Sequence, residues 1–123
     1  GRSFVVHKLH VPDPMYYTDE EVQTLDNGQQ KDGQDSNNDN LTEACDREAG
    51  ERLAASYVNY YLANSAIILP QFGDEKYDEL AQRTMKSIFP EKDIVGVYSR
   101  EILLGGGNIH CITQQVPKIS NFK

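Results

Sequence analysis

AIILPQFGDEKYDELAQRTMKSIFPEKDIVGVY, residues 66–98, is the stretch that decides the fold. Ala66-Ile67-Ile68-Leu69 is a short apolar run closed by Pro70, the mark of a buried strand. Gly73-Asp74 then opens a helix, with Asp74 as N-cap and Glu75 in the first turn, where a carboxylate meets unpaired N–H groups. Tyr77, Leu80, Ala81, Met85 and Ile88 share one helical face, and Pro90 stops the helix. That stripe is core and implies no cofactor. Ile94 to Tyr98 is β-branched and apolar again and predicts another strand.

Working outward, Leu53 to Ala63 (LAASYVNYYLA) has a strand-type composition, with Tyr57, Val58, Tyr60 and Tyr61. Asn64-Ser65 is a turn signal, so residues 53–70 read as a hairpin whose second strand is largely buried. Downstream, Ser99 to Leu104 predicts a short helical turn. Gly105-Gly106-Gly107 predicts a loop, and Ile109 to Gln115 a final strand before Pro117. Upstream, Phe4 to His10 predicts a strand ended by Pro12 and Pro14. The order strand, loop, strand, strand, helix, strand, short helix, strand gives a mixed α/β architecture.

Length and charge bound the rest. The chain has 123 residues and a formal charge of −7, with a pI near 4.8. That balance argues against nucleic acid or an anionic membrane as the main partner. No apolar run is long enough to cross a membrane as a helix. Two cysteines, Cys45 and Cys111, do not make a disulfide scaffold. The start, Gly1 to Val6, has neither the basic nor the apolar region of a signal peptide and reads as a chain taken up in mid-strand. From Thr18 to Glu51 there are 11 acidic and 2 basic residues, amid many Asn, Gln and Gly. Residues 12–51 are therefore expected to be a long, acidic, flexible loop. Without it, roughly 80 residues remain to pack, a marginal core for independent folding.

Cys111 is the residue best set for chemistry. It lies in Gly105-Gly106-Gly107-Asn108-Ile109-His110-Cys111. Consecutive glycines cost backbone entropy. They suit a loop where the backbone approaches a ligand or offers free N–H donors to developing charge. The bland reading is an inert cysteine in a strand. Cys45 sits beside Glu43, Asp46 and Glu48, which disfavour its thiolate. His110 is expected on the opposite strand face from Cys111, which makes it a poor base. His7 and His10 diverge in the same way. No His/Cys/Asp set has metal-ligand spacing, so no metal site is supported. No Lys-Ser or Lys-Thr follows the glycines, so they are no phosphate loop.

Two stretches carry a resemblance. Gly50 to Asp74 (GERLAASYVNYYLANSAIILPQFGD) and Val95 to Gln115 (VGVYSREILLGGGNIHCITQQ) resemble the C-terminal part of the agmatine deiminase family, within the guanidine-modifying pentein enzymes. Phe4 to Pro14 (FVVHKLHVPDP) fits the strand before them. The resemblance implies about two units of a pseudo-fivefold α/β propeller. It implies Cys111 as the nucleophile, with Gly105, Gly106, Gly107 and Asn108 binding substrate or supporting the loop. It also implies hydrolysis of agmatine to N-carbamoylputrescine and ammonia, a step towards putrescine, with no metal or organic cofactor. The family's catalytic His and guanidinium-holding carboxylates match nothing here and are expected N-terminal to the matched region, in a missing part of the enzyme. The acidic insertion, and Asn64-Ser65-Ala66 where a glycine-rich turn is usual, depart from the family pattern.

Other readings stand beside this one. A relative acting on peptidyl-arginine or free arginine would use the same thiol. A non-catalytic fragment or interaction module would not. The expected partners are a small guanidinium cation and the rest of the enzyme, with a homodimer open and a cytoplasmic location. Neither nucleic acid nor membrane is expected.

Overall fold

The computed structural model describes residues 1–29 and 47–117, with residues 26–29 described in backbone only. Its elements are α1 (Asp19–Gln29), β1 (Tyr61–Leu62), β2 (Ala66–Gln71), α2 (Glu75–Ile88), β3 (Asp93–Tyr98), α3 (Arg100–Leu104) and a 3₁₀ turn (Ile109–Ile112). This is a small α/β unit.

The 66–98 stretch folds as strand, helix and strand, in the expected order. β2 pairs antiparallel with β1, Tyr61 opposite Ile68, and parallel with β3, Ala66 opposite Asp93 through Gln71 opposite Tyr98. The helix between two parallel strands is α2, as a parallel pair requires. Asp74 caps it, its Oδ1 accepting from Tyr77 N at 3.2 Å. Ala81 and Met85 are buried, and Tyr77 and Ile88 pack beside them. The core joins these to Tyr17, Leu53, Tyr57, Ile67, Leu69, Phe72 and Leu103. Asp78 pins the helix to the sheet end. Its buried carboxylate accepts from Phe72 N at 3.0 Å, Gly73 N at 2.9 Å and Tyr57 Oη at 2.7 Å.

Several expectations are corrected. β2 does not stop at Leu69 but runs through Pro70 to Gln71. The Gln71 carbonyl accepts from Ser99 N, so Gln71 faces β3. Pro70 therefore faces the other side, where β1 has already ended, and its missing N–H breaks no ladder bond. The first hairpin strand shrinks from Leu53–Ala63 to Tyr61–Leu62, because residues 57–59 turn. Tyr57 leaves the strand direction to reach Asp78. Phe4 to His10 is no strand. Phe4, Val5 and Val6 are 94%, 79% and 80% exposed and pair with no strand among the described residues.

The expected loop at 12–51 is partly structured. Thr18 and Glu21 form a capping box: Thr18 Oγ1 accepts from Glu21 N at 3.2 Å, and Glu21 Oε2 accepts from Thr18 N at 2.9 Å. Asp19, Glu20 and Glu21 crowd the first turn of α1, where negative charge is favoured. Val22 and Leu25 pack on the core. The base of the acidic segment is closed by backbone bonds: Tyr17 N to Glu51 O, Gly50 N to Tyr17 O and Leu53 N to Met15 O, at 2.8–3.0 Å. Residues 30–46, Cys45 among them, lie outside the described residues. The expected final strand at Ile109–Gln115 is instead the 3₁₀ turn followed by irregular chain.

Candidate active site

β3 delivers the chain to Ser99, which is buried at the N-cap position of α3 and makes no side-chain capping bond. Ser99 N donates to Gln71 O at 2.9 Å, tying the start of α3 to the end of β2. α3 ends in the three glycines. Gly105 N donates to Ile102 O at 3.1 Å and Gly106 N to Leu103 O at 2.9 Å. These two amides close the helix, so they are not the free N–H donors expected of this loop; that of Gly107 stays outside the helix-closing bonds. Gly106 has φ +86°, the left-handed conformation that ends helices and favours glycine. A Cβ there would also sit 2.6 Å from Arg47 Nη2.

Gly107 matters for a different reason. A Cβ on it would lie 2.9 Å from Cys111 Cβ and 3.1 Å from Sγ. The glycine thus leaves the space that the thiol occupies.

Asn108 is 2% exposed, and its Oδ1 accepts from Ile109 N at 2.8 Å. Its carbonyl accepts from Cys111 N at 2.9 Å. These bonds curl residues 109–112 into a turn despite their β-branched composition. Nδ2 of Asn108 is buried with no hydrogen-bond partner among the described residues. The turn buries Ile109 and leaves His110 and Cys111 exposed. With the strand gone, opposite strand faces no longer explain why His110 is a poor base. Its ring makes no hydrogen bond to Sγ; its backbone N–H is what is engaged.

That engagement involves Asn59, which the residue patterns did not single out. His110 N donates to Asn59 Oδ1 at 2.8 Å, and Asn59 Nδ2 donates to Cys111 Sγ at 3.2 Å. Cys111 is a free thiol. The Asn59 amide is the main cause holding it below the usual thiol range, with smaller help from the backbone of Asn108. A hydrogen bond donated to sulfur favours the charged form over the neutral one. The arrangement is an exposed thiol biased towards thiolate.

Among the described residues no group of His, Cys, Asp and Glu could hold a metal ion, and no helix is long and apolar enough to cross a membrane.

Relatives share this sequence. Agmatine deiminase of Medicago truncatula is 52% identical over 120 residues, which cover 97% of this chain and 29% of that protein. The solved agmatine deiminase of Enterococcus faecalis is 50% identical with a TM-score of 0.56, over 58% of this chain and 20% of that one. The C. jejuni agmatine deiminase is 26% identical with a TM-score of 0.54, over 82% of this chain and 22% of that one. The chain spans about 30% of the length of the curated relatives it matches. Residues 1–117 match the family described as Porphyromonas-type peptidyl-arginine deiminase, and with nearly all of its length inside that match the chain belongs to this family.

Proposed function

We propose that this chain is the nucleophile-bearing part of an agmatine deiminase, whose remaining catalytic groups lie outside the 123 residues. One observation carries the reading: Cys111 is exposed, thiolate-biased and held by Asn59, in a chain about half identical to agmatine deiminases.

In the proposed reaction the Cys111 thiolate attacks the guanidinium carbon of agmatine. The tetrahedral adduct collapses as one amino nitrogen takes a proton from the acid–base group of the rest of the protein and leaves as ammonia, giving a covalent thiouronium. Water then adds to that carbon and the C–S bond breaks, giving N-carbamoylputrescine and returning the thiolate. Two easier steps replace direct attack of water on a resonance-stabilised cation. The substrate cation itself favours the thiolate when bound. Gly107 leaves room for the sulfur, Gly105 and Gly106 end α3 at the correct point, and Asn108 caps the turn. No cofactor is required. The base and the carboxylates that hold the guanidinium come from the rest of the protein. There the sheet described above would supply about two units of a five-unit propeller. The setting is putrescine synthesis in the cytoplasm.

The test is product formation by the longer protein that includes this chain. Ammonia and N-carbamoylputrescine from agmatine, with little from free arginine or an arginine peptide, are expected. Preference for either arginine substrate would move the assignment to the arginine-directed relatives. No turnover of any of the three would favour the non-catalytic reading.

A further inference from the structure

Asn59 lies 52 positions from Cys111 in sequence, yet touches both the sulfur and the turn that carries it. We propose that Asn59 is a positioning residue for the nucleophile, its single amide group orienting Cys111 Sγ and fixing the His110–Cys111 backbone together. This rests on the reading of Cys111 as nucleophile given above.

The chemistry of the amide forces the arrangement. An Asn side chain has one acceptor oxygen and one donor nitrogen. The partner at His110 is a backbone N–H, which can only donate, so Oδ1 must face it. Nδ2 is then the atom left facing Sγ, and the amide cannot flip without losing the His110 bond. The backbone carbonyl of Asn59 also accepts from His110 N, at 3.3 Å. Two acceptors on one residue thus hold one N–H of the turn.

Asn59 is itself anchored. Its N–H donates to Ser56 O at 3.4 Å. Tyr57, two residues earlier, is fully buried and bonded to Asp78 of α2. β1 begins two residues later, at Tyr61. The amide is therefore carried by a segment fixed at both ends, and Cys111 is located relative to the sheet through it. Asn108 holds the same turn from within, so the thiol is set by one local and one distant asparagine. Only the distant one donates from a side chain to the sulfur.

The test uses the longer protein, free of substrate. Alkylation by iodoacetamide is followed across pH, and the Cys111 and Cys45 peptides are resolved by mass spectrometry. Asn59→Asp keeps the acceptor for His110 but loses the donor to sulfur. Asn59→Ala loses both. The Cys111 alkylation midpoint should rise to higher pH in each variant, with the Cys45 profile unmoved. Agmatine turnover should fall mainly in kcat.

An unshifted Cys111 profile in a folded Asn59→Asp variant would overturn the positioning role, whatever Asn59→Ala does. The alkylation profile needs no turnover. A shifted profile in a protein inactive on agmatine would sink the proposed function and leave Asn59 in its role. Normal turnover with an unshifted profile would do the reverse.

Discussion

The Arg100 guanidinium grips the Glu21 carboxylate through Nε to Oε1 at 2.6 Å and Nη2 to Oε2 at 3.0 Å, joining α3 to α1 across 79 positions. Nη2 also donates to Tyr16 O at 2.9 Å. The pair is partly buried, with side chains 22% and 19% exposed. This bidentate geometry is the strong form of an ion pair. It docks the acidic segment's helix beside the short helix that leads into the glycine loop.

The pair sets a pH dependence. The Arg100 hydrogen bonds lower Glu21 from the usual 4.5 to about 2. A carboxylate lowered in the folded state binds fewer protons there than when unfolded. Its stabilisation is therefore complete above about pH 4.5 and is lost as the pH falls towards 2. Arg100→Met should cost about 2 kcal/mol at pH 7 and much less at pH 2. Urea unfolding at several pH values measures it. An equal loss at pH 7 and pH 2 would contradict the account.

Asp78 should matter more for folding than its place on a helix suggests. Removing it leaves Tyr57 Oη, Phe72 N and Gly73 N without their buried acceptor. Asp78→Ala is expected to cost about 3 kcal/mol or more, and Tyr57→Phe only about 1 kcal/mol, since the carboxylate keeps its backbone donors. Urea midpoints at constant slope give both values. A larger loss for Tyr57→Phe would show that the hydroxyl, and not the carboxylate, organises this corner.

Gly107→Ala tests the space beside the thiol. The new Cβ would press on Cys111 Cβ at 2.9 Å, so the sulfur must shift. Small misplacements of reacting groups cost up to about a hundredfold in rate. Turnover by the longer protein should fall at least tenfold on that basis. The unfolding midpoint should barely move, because Gly107 lies outside the hydrophobic core. Unchanged turnover would mean the loop yields instead of the thiol.

The 123-residue chain alone should release no ammonia from agmatine, since acid–base catalysis needs a base within hydrogen-bond reach and, among the described residues, no side-chain base is hydrogen-bonded to Cys111. Release that Cys111→Ala abolishes would show the missing groups to be present after all.

Much of this was legible in local pattern. Asp74, the Tyr77–Ile88 stripe and Pro90 announce α2, because capping and periodicity act within a few residues. What failed was decided at longer range or by single side chains. The acidic composition hid α1, although Thr18 and Glu21 spell its capping box. Ile109, Ile112 and Thr113 look like a strand, but the Asn108 side chain bonds Ile109 N and turns the chain. Phe4 to His10 has strand composition and, among the described residues, no neighbouring strand to pair with. Cys111 stood out through its glycines. Asn59 could not, because its significance lies in two residues more than fifty positions away.

Covalent trapping of Cys111 decides whether this thiol is the nucleophile. The longer protein is treated with a haloacetamidine, whose amidinium mimics the guanidinium while its carbon alkylates a thiolate, and the modified peptide is mapped by mass spectrometry. One stoichiometric label on Cys111, loss of agmatine turnover in step with labelling, and protection by agmatine are expected. Labelling of Cys45 with Cys111 untouched, or full turnover in Cys111→Ala, would contradict it.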